Sequence, residues 1–426
     1  MLVEFSVENY RSFKDKATLS MVASPDRSHP ENLVQAPGLE KDRLVRSAAV
    51  YGANASGKSN LLMGLDLLRN LVLQSHAHQK GQRLNFTPFR MDKASSSKPT
   101  RFRIVFVRDG VRYSYGVSFD AERVIDEHLH SYPKGRQSLV FDRKGTDKYT
   151  FTRDKARQRL ISEMTLGNVL YLSSSTNLKY AGTASAFDWF RDDLRPLMRT
   201  GDYPAEHFSV RLVSGNKRMK AAMLKALAAA DTGIADMSAT VRPLTAEEIM
   251  RTPPPARRLI LDIHSPAHGP VEELKVRTVH RSRGRDGGDV TAEFDLEEES
   301  EGTRRMFVLM GHCLDALENG RVLVVDELDV KLHVVLNLFI VNLFHDPAQN
   351  RNGAQLVFAT HNTHLLDQEV LRRDQIWFTE RDPRTGASEL YSLVEFSPRK
   401  DKDLERGYLA GRYGALPFVG DQRILH

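Results

Sequence analysis

The sequence predicts an α/β fold: a parallel-sheet core interrupted by a mainly helical insertion, with an antiparallel subsheet near the N-terminus. Three observations predict it. Residues 47–51, 321–325 and 355–359 are short, almost wholly apolar runs, the pattern of parallel strands covered by helices on both faces. The first run stops at Gly52, and leucines then recur at helical spacing over residues 60–73, which reads as strand, loop and helix. Residues 101–107 and 112–119 flank Asp109 and Gly110, the pattern of a hairpin.

Taken in order, residues 2–7 alternate apolar and polar side chains and predict a half-buried strand of the antiparallel subsheet. From about residue 181 the pattern changes. Residues 219–230 predict a helix, residues 252–255 are a proline-rich breaker, and residues 281–288 form a charged, glycine-containing loop. The chain therefore reads as three parts: residues 1–180, an insertion over 181–294, and residues 295–426, with no repeat and no sustained heptad pattern.

Composition bounds the function. At 426 residues, 41% hydrophobic and 27% charged, the chain can bury a substantial core. Its single cysteine, Cys313, excludes an internal disulfide and a cysteine zinc cluster, so a reducing, cytoplasmic setting is expected. No run approaches the roughly 18 apolar residues of a membrane span, and the start Met1-Leu2-Val3-Glu4 lacks a signal-peptide pattern. No membrane partner is expected. With 61 basic against 55 acidic residues, the positive bias is mild and proves no nucleic-acid contact.

The chemistry is concentrated in two motifs. Gly52-Ala53-Asn54-Ala55-Ser56-Gly57-Lys58-Ser59 satisfies G-x-x-x-x-G-K-[ST] between a strand and a helix. In such a loop the glycines let backbone N–H groups approach phosphates, and the helix N-terminus favours anions. Gly52, Asn54, Ser56, Gly57, Lys58, Ser59 and Asn60 are the nucleotide-binding candidates; Lys58 can reach the β- and γ-phosphates and Ser59 can ligate Mg²⁺. Asp326 and Glu327 end the apolar run 321–325. Asp326 can meet the Mg²⁺ held by Ser59, and Glu327 can orient or deprotonate an attacking water. Two acids after a strand are common on their own; the loop gives them this meaning. ATP and Mg²⁺ are the expected cofactors.

With these residues the chain resembles the ABC-type ATPases that include the RecF, SMC and OLD proteins, over roughly residues 1–120 and 295–426. Glu299-Ser300-Glu301-Gly302-Thr303-Arg304 is similar to their signature loop, with Glu301 where the transporter form Leu-Ser-Gly-Gly-Gln has its first glycine. The resemblance implies that Ser300 and Gly302 touch a γ-phosphate bound by another subunit. Independently, Ser300 suits the N-cap of a helix carrying Met306, Phe307, Met310, Leu314 and Leu317. The resemblance makes His361 the switch histidine, Leu328-Asp329 the D-loop, and the segment around Arg11 a passage near the base and ribose. His333 resembles a histidine often found after the D-loop and takes no catalytic role. No glutamine is placed at the Q-loop.

The 240 residues between Ser59 and Ser300 are too few and irregular for long paired coils, and 65 residues follow His361, with no Toprim nuclease domain expected. Gln375 to Glu380 and Tyr408 to Pro417 resemble the ending of RloA-like bacterial ATPases. That resemblance implies a role in phage defence beside a separately encoded effector, such as a nuclease. The expected partners are then a second copy, in a head-to-tail ATP-dependent dimer or higher oligomer, and that effector. A RecF-like repair clamp on DNA is the alternative, with residues 143–159 and 251–258 as its basic stretches, and a non-hydrolysing scaffold a third.

Overall fold

The computed structural model describes residues 1–198, 203–253, 271–283, 288–396 and 403–416. The chain divides into two units: residues 1–198, 316–330 and 337–426 form the first, and residues 199–315 and 331–336 the second.

In the first unit a six-stranded sheet runs in the order Leu194–Leu197, Val322–Val325, Gln355–Ala359, Ser47–Tyr51, Ile376–Arg381, Ser388–Ser392. Its first five strands are parallel and the last is antiparallel. Every residue of Val322–Val325, Gln355–Ala359 and Ser47–Tyr51 is buried, which is why each reads as a continuous apolar run rather than an alternation. Val325 lies opposite Phe358, and Ala359 opposite Val50. That register brings Gly52, Asp326 and Thr360 out on one edge of the sheet, the carboxyl edge where ligands of open α/β sheets bind.

A seven-stranded antiparallel sheet has the order Lys148–Phe151, Ser138–Lys144, Val124–Tyr132, Val111–Phe119, Thr100–Arg108, Leu2–Glu8, Ala17–Ser20. The hairpin expected about Asp109 and Gly110 is formed. Leu2–Glu8 is more deeply buried than the expected half. It is an interior strand, and the Ser6 hydroxyl, instead of facing water, is hydrogen-bonded to that of Thr18 at 2.9 Å. Helix Lys58–Gln74 joins the two sheets through one core that includes Leu61, Leu65, Leu68, Phe5, Phe102, Val324 and Val357. Gly64 is small because the packing is close: a Cβ there would come within 3.2 Å of Phe5 Cζ. Trp189 and Phe190 also enter this core, Trp189 stacking on Phe106 at 4.3 Å.

In the second unit the expected helix over 219–230 is present as Lys217–Ala229, preceded by Tyr203–Ser214. One further element there was not expected. A three-stranded antiparallel sheet, Ile234–Pro243, Glu272–Arg283 and Asp289–Asp295, lies beside the helices. Leu274, Val276 and Thr278 alternate with charged residues along its central strand, so a period-two signal was present but carried on a strand rich in Glu, Lys and Arg. Part of the proline-rich breaker (Pro254, Pro255), Arg257 and Arg258 of the basic stretch, half of the charged loop (residues 284–287) and Pro417 of the tail lie outside the described residues.

Candidate functional site

The phosphate loop leaves the Ser47–Tyr51 strand under tight steric control. Gly52 has φ 151°, and a Cβ there would lie 2.3 Å from the Thr379 carbonyl oxygen. Gly57 has φ 123°, and its Cβ would strike Ser388 Oγ at 2.6 Å. Both positions require glycine because of backbone conformation and of what lies beneath. Asn54 is exposed at the crest, whereas Ser56 is buried, its Oγ 2.6 Å from Thr379 Oγ1. The structure thus places Ser56 as a support under the loop. Ser388 Oγ donates to the Ser56 carbonyl at 2.5 Å.

The Lys58 ammonium folds over the loop and donates to the carbonyl oxygens of Gly52 at 2.8 Å and Ala53 at 3.1 Å. Burial lowers its pKa, against the pull of Asp326, Asp329 and Glu327. Ser59 Oγ donates to Asp326 Oδ1 at 3.1 Å. Residues 267 positions apart therefore meet as a hydroxyl and a carboxylate, the hard oxygen ligands that Mg²⁺ takes alongside phosphate and water. Burial raises the pKa of Asp326, as does the neighbouring Glu327, while the Ser59 hydrogen bond and Lys58 lower it. A divalent cation between Ser59 and Asp326 would reverse that balance and hold the carboxylate ionised.

Glu327 turns the chain out of the strand at φ 53°, a left-handed conformation uncommon outside glycine. The turn is fixed by Leu328 N–H donating to the Ala359 carbonyl at 3.0 Å and Val330 N–H to that of Glu327 at 3.3 Å. Asp329 then accepts the His361 N–H on both carboxylate oxygens at 3.2 Å. The His361 ring is open to solvent, yet its pKa is lowered, first by partial desolvation and then by Lys58, against Asp329, Glu327 and Asp326. An imidazole biased to its neutral form can both accept and donate a hydrogen bond.

Arg11 sits in a tight turn with φ 51°, its N–H donating to the Thr87 carbonyl at 2.7 Å and its Nε to Tyr10 Oη at 3.0 Å. The next residue reaches the loop: Ser12 Oγ accepts from Asn60 Nδ2 at 2.8 Å, and the Ser12 carbonyl accepts from Ser388 N–H at 2.7 Å. Arg11 itself is tied to Tyr10 and Thr87, while its neighbour Ser12 touches the helix after the loop.

The structure brings Lys58, Ser59, Asp326, Glu327 and His361 into one electrostatic neighbourhood. Ser300 and Gly302 belong to the second unit. There Ser300 Oγ accepts from Thr303 N–H at 3.1 Å, the N-cap expected for helix Glu301–Asn319. Sequence reasoning gave no site role to Ser12, Thr379 or Ser388, which clamp the loop from the far ends of the chain. The end of strand Leu194–Leu197 lies beside the acids, its last carbonyl accepting from Asp326 N–H at 3.2 Å. Shortly after it in the sequence, residues 199–202 contain no glutamine.

One basic stretch is rearranged by the fold. Arg143 is fully buried 3.7 Å from Glu127 and donates to the carbonyl oxygens of Thr146 and Val169, so it cannot contact a nucleic-acid phosphate. Among the described residues no helix is long and apolar enough to cross a membrane.

The family model described as "AAA domain, putative AbiEii toxin, Type IV TA system" matches residues 47–158 and 193–367, more than half of the chain. No curated protein matches it. Among solved structures it is similar to the SMC head domain from Thermotoga maritima, at 13% identity and TM-score 0.38, with 92% of this chain and 98% of that one covered. It is similar also to the Smc head domain with an extended coiled coil bound to the C-terminal domain of ScpA derived from Pyrococcus furiosus, at 12% identity and TM-score 0.37, covering 93% and 97%.

Proposed function

Since the chain belongs to the AAA domain family whose description names a putative AbiEii toxin of a Type IV TA system, we propose that it is an ABC-type ATPase working in phage defence with a separately encoded effector. The observation that carries the ATPase reading is the Ser59–Asp326 contact at the edge where Lys58, Glu327 and His361 converge.

In this reading the loop N–H groups and Lys58 hold the phosphates, Lys58 exchanging its carbonyl partners for phosphate oxygens. Mg²⁺, bound through Ser59 and Asp326, would neutralise developing charge on the phosphates. Glu327 orients the attacking water and accepts its proton, and His361 donates a hydrogen bond toward the γ-phosphate. Ser300 and Gly302 of a second copy complete the site in a head-to-tail dimer. The effector and defence role rest on the similarity of the tail to RloA-like proteins and on the family description, which names one member of a toxin–antitoxin pair. The burial of Arg143 removes one of the cations that a DNA clamp would use.

Glu327→Gln tests the reading. The variant keeps the phosphate contacts and loses the proton acceptor, so it binds ATP at wild-type affinity, turns over roughly 10³-fold more slowly, and accumulates as a dimer with ATP in size-exclusion chromatography. Turnover at the wild-type rate would remove Glu327 from this role.

A further inference from the structure

We infer that the C-terminal helix Leu404–Leu409 positions the switch histidine, with Glu405 as the positioning residue acting through Thr363. This rests on the ATPase reading. Thr363, two residues after His361, donates its hydroxyl to Glu405 Oε1, and His364 Nδ1 lies 3.8 Å from Glu405 Oε2. The 361–365 segment is also held by His361 N–H on Asp329 and by the Asn362 carbonyl accepting from Tyr51 Oη at 3.3 Å. Glu405 adds a hold from the C-terminal helix.

The same helix also touches the origin of the phosphate loop. The Tyr408 ring meets Tyr51, the residue before Gly52, at 6.1 Å, and stacks on Phe378 at 5.5 Å. Its hydroxyl donates to the Ala415 carbonyl at 3.1 Å, and Tyr391 Oη donates to that of Tyr413 at 2.8 Å. These contacts seat the tail on the sheet and fix the depth at which Glu405 arrives. A carboxylate on a separately docked segment thus sets the aim of a ring whose Nδ1 or Nε2 must reach the γ-phosphate. Whatever lifts the tail uncouples hydrolysis from ATP binding.

The experiment measures steady-state ATP turnover of Glu405→Ala, Thr363→Val, their double variant and Glu405→Gln, with Lys58→Ala as reference. Each of the first two lowers kcat by roughly tenfold or more, as expected when a catalytic group is misaimed, while KM stays within about twofold. The double variant is no slower than the singles, and Glu405→Gln, which keeps an acceptor for Thr363, recovers most of the turnover. Amide hydrogen exchange over residues 361–365 rises in Glu405→Ala. Wild-type kcat in both single variants, or a loss carried by KM, overturns the positioning role. If Glu405→Ala does not fold, Thr363→Val, which leaves the helix intact, decides. If Lys58→Ala hydrolyses ATP at the wild-type rate, the ATPase reading falls regardless of Glu405; if Lys58→Ala is inactive and both single variants are not, only the positioning role falls.

Discussion

Gly57 stands where the phosphate loop becomes a helix, and two separate demands meet in it. Its φ of 123° strains any L side chain, and a Cβ would sit 2.6 Å from Ser388 Oγ and 2.9 Å from Ser388 Cβ. Gly57→Ala therefore displaces the loop or the Ser388–Ser392 strand, at a strain on the order of 1–3 kcal/mol. Isothermal titration should show ATP affinity falling by roughly tenfold or more. Gly57→Ala combined with Ser388→Gly should recover part of it, because the clash is relieved and the dihedral strain is not. The glycine was legible as part of a contiguous motif of eight residues. Ser388 and Thr379 were not, since their bearing on the loop arises only when strands more than 300 positions away pack beneath it, and Ser12, 48 positions before Asn60, meets it only through the fold. Ser56 shows the same limit from the other side: it lies within the motif and reads as a binding candidate, and tertiary contact turns its side chain away from the loop's open face.

The core strands and the helix after the loop were legible as elements, because burial on both faces removes polar residues and leaves runs that few other structures produce. The sheet of the second unit was hidden by charge on its solvent face. What ties the core elements together is less visible still. His345, at the end of helix Val334–His345, presents Nε2 to two donors, the Ser47 hydroxyl at 2.8 Å and Gln375 Nε2 at 3.1 Å. Both bonds need that nitrogen unprotonated. Burial, with Arg46 adding to it, pushes the His345 pKa down to about 3 from the ordinary 6.5. The sign follows: the unfolded chain binds this proton more readily, so stability is full above about 6.5 and drains as pH falls from there towards about 3. Urea unfolding midpoints between pH 7 and 4 should fall with acid. His345→Asn should be less stable at pH 7 yet lose about one proton's worth of pH slope over that window. An unchanged slope would free His345 of the effect.

At the scale of the whole molecule, the first unit carries the loop, the acids and the histidine, and the second carries Ser300 and Gly302. The division was legible in part. The motifs were plain at both ends of the sequence, but the chain re-enters its first unit twice, at residues 316 and 337, and such returns leave no local mark. If the proposed head-to-tail dimer completes each site from two copies, the defect of a loop variant and that of a signature variant must be separable by mixing. Lys58→Ala has a dead loop and an intact signature; Ser300→Arg has the reverse, its bulk closing the approach of a phosphate. Each alone should be inactive. Random pairing of equal amounts makes half the dimers mixed, and each mixed dimer has one site formed by the intact loop of one copy and the intact signature of the other. The mixture should then recover about a quarter of wild-type turnover, the ratio set by two-fold symmetry. Recovery should fall as total protein is diluted below the dimer dissociation constant. A mixture as inactive as its parts, under conditions where size-exclusion chromatography shows mixed dimers, would place the signature and the loop of one copy in the same site.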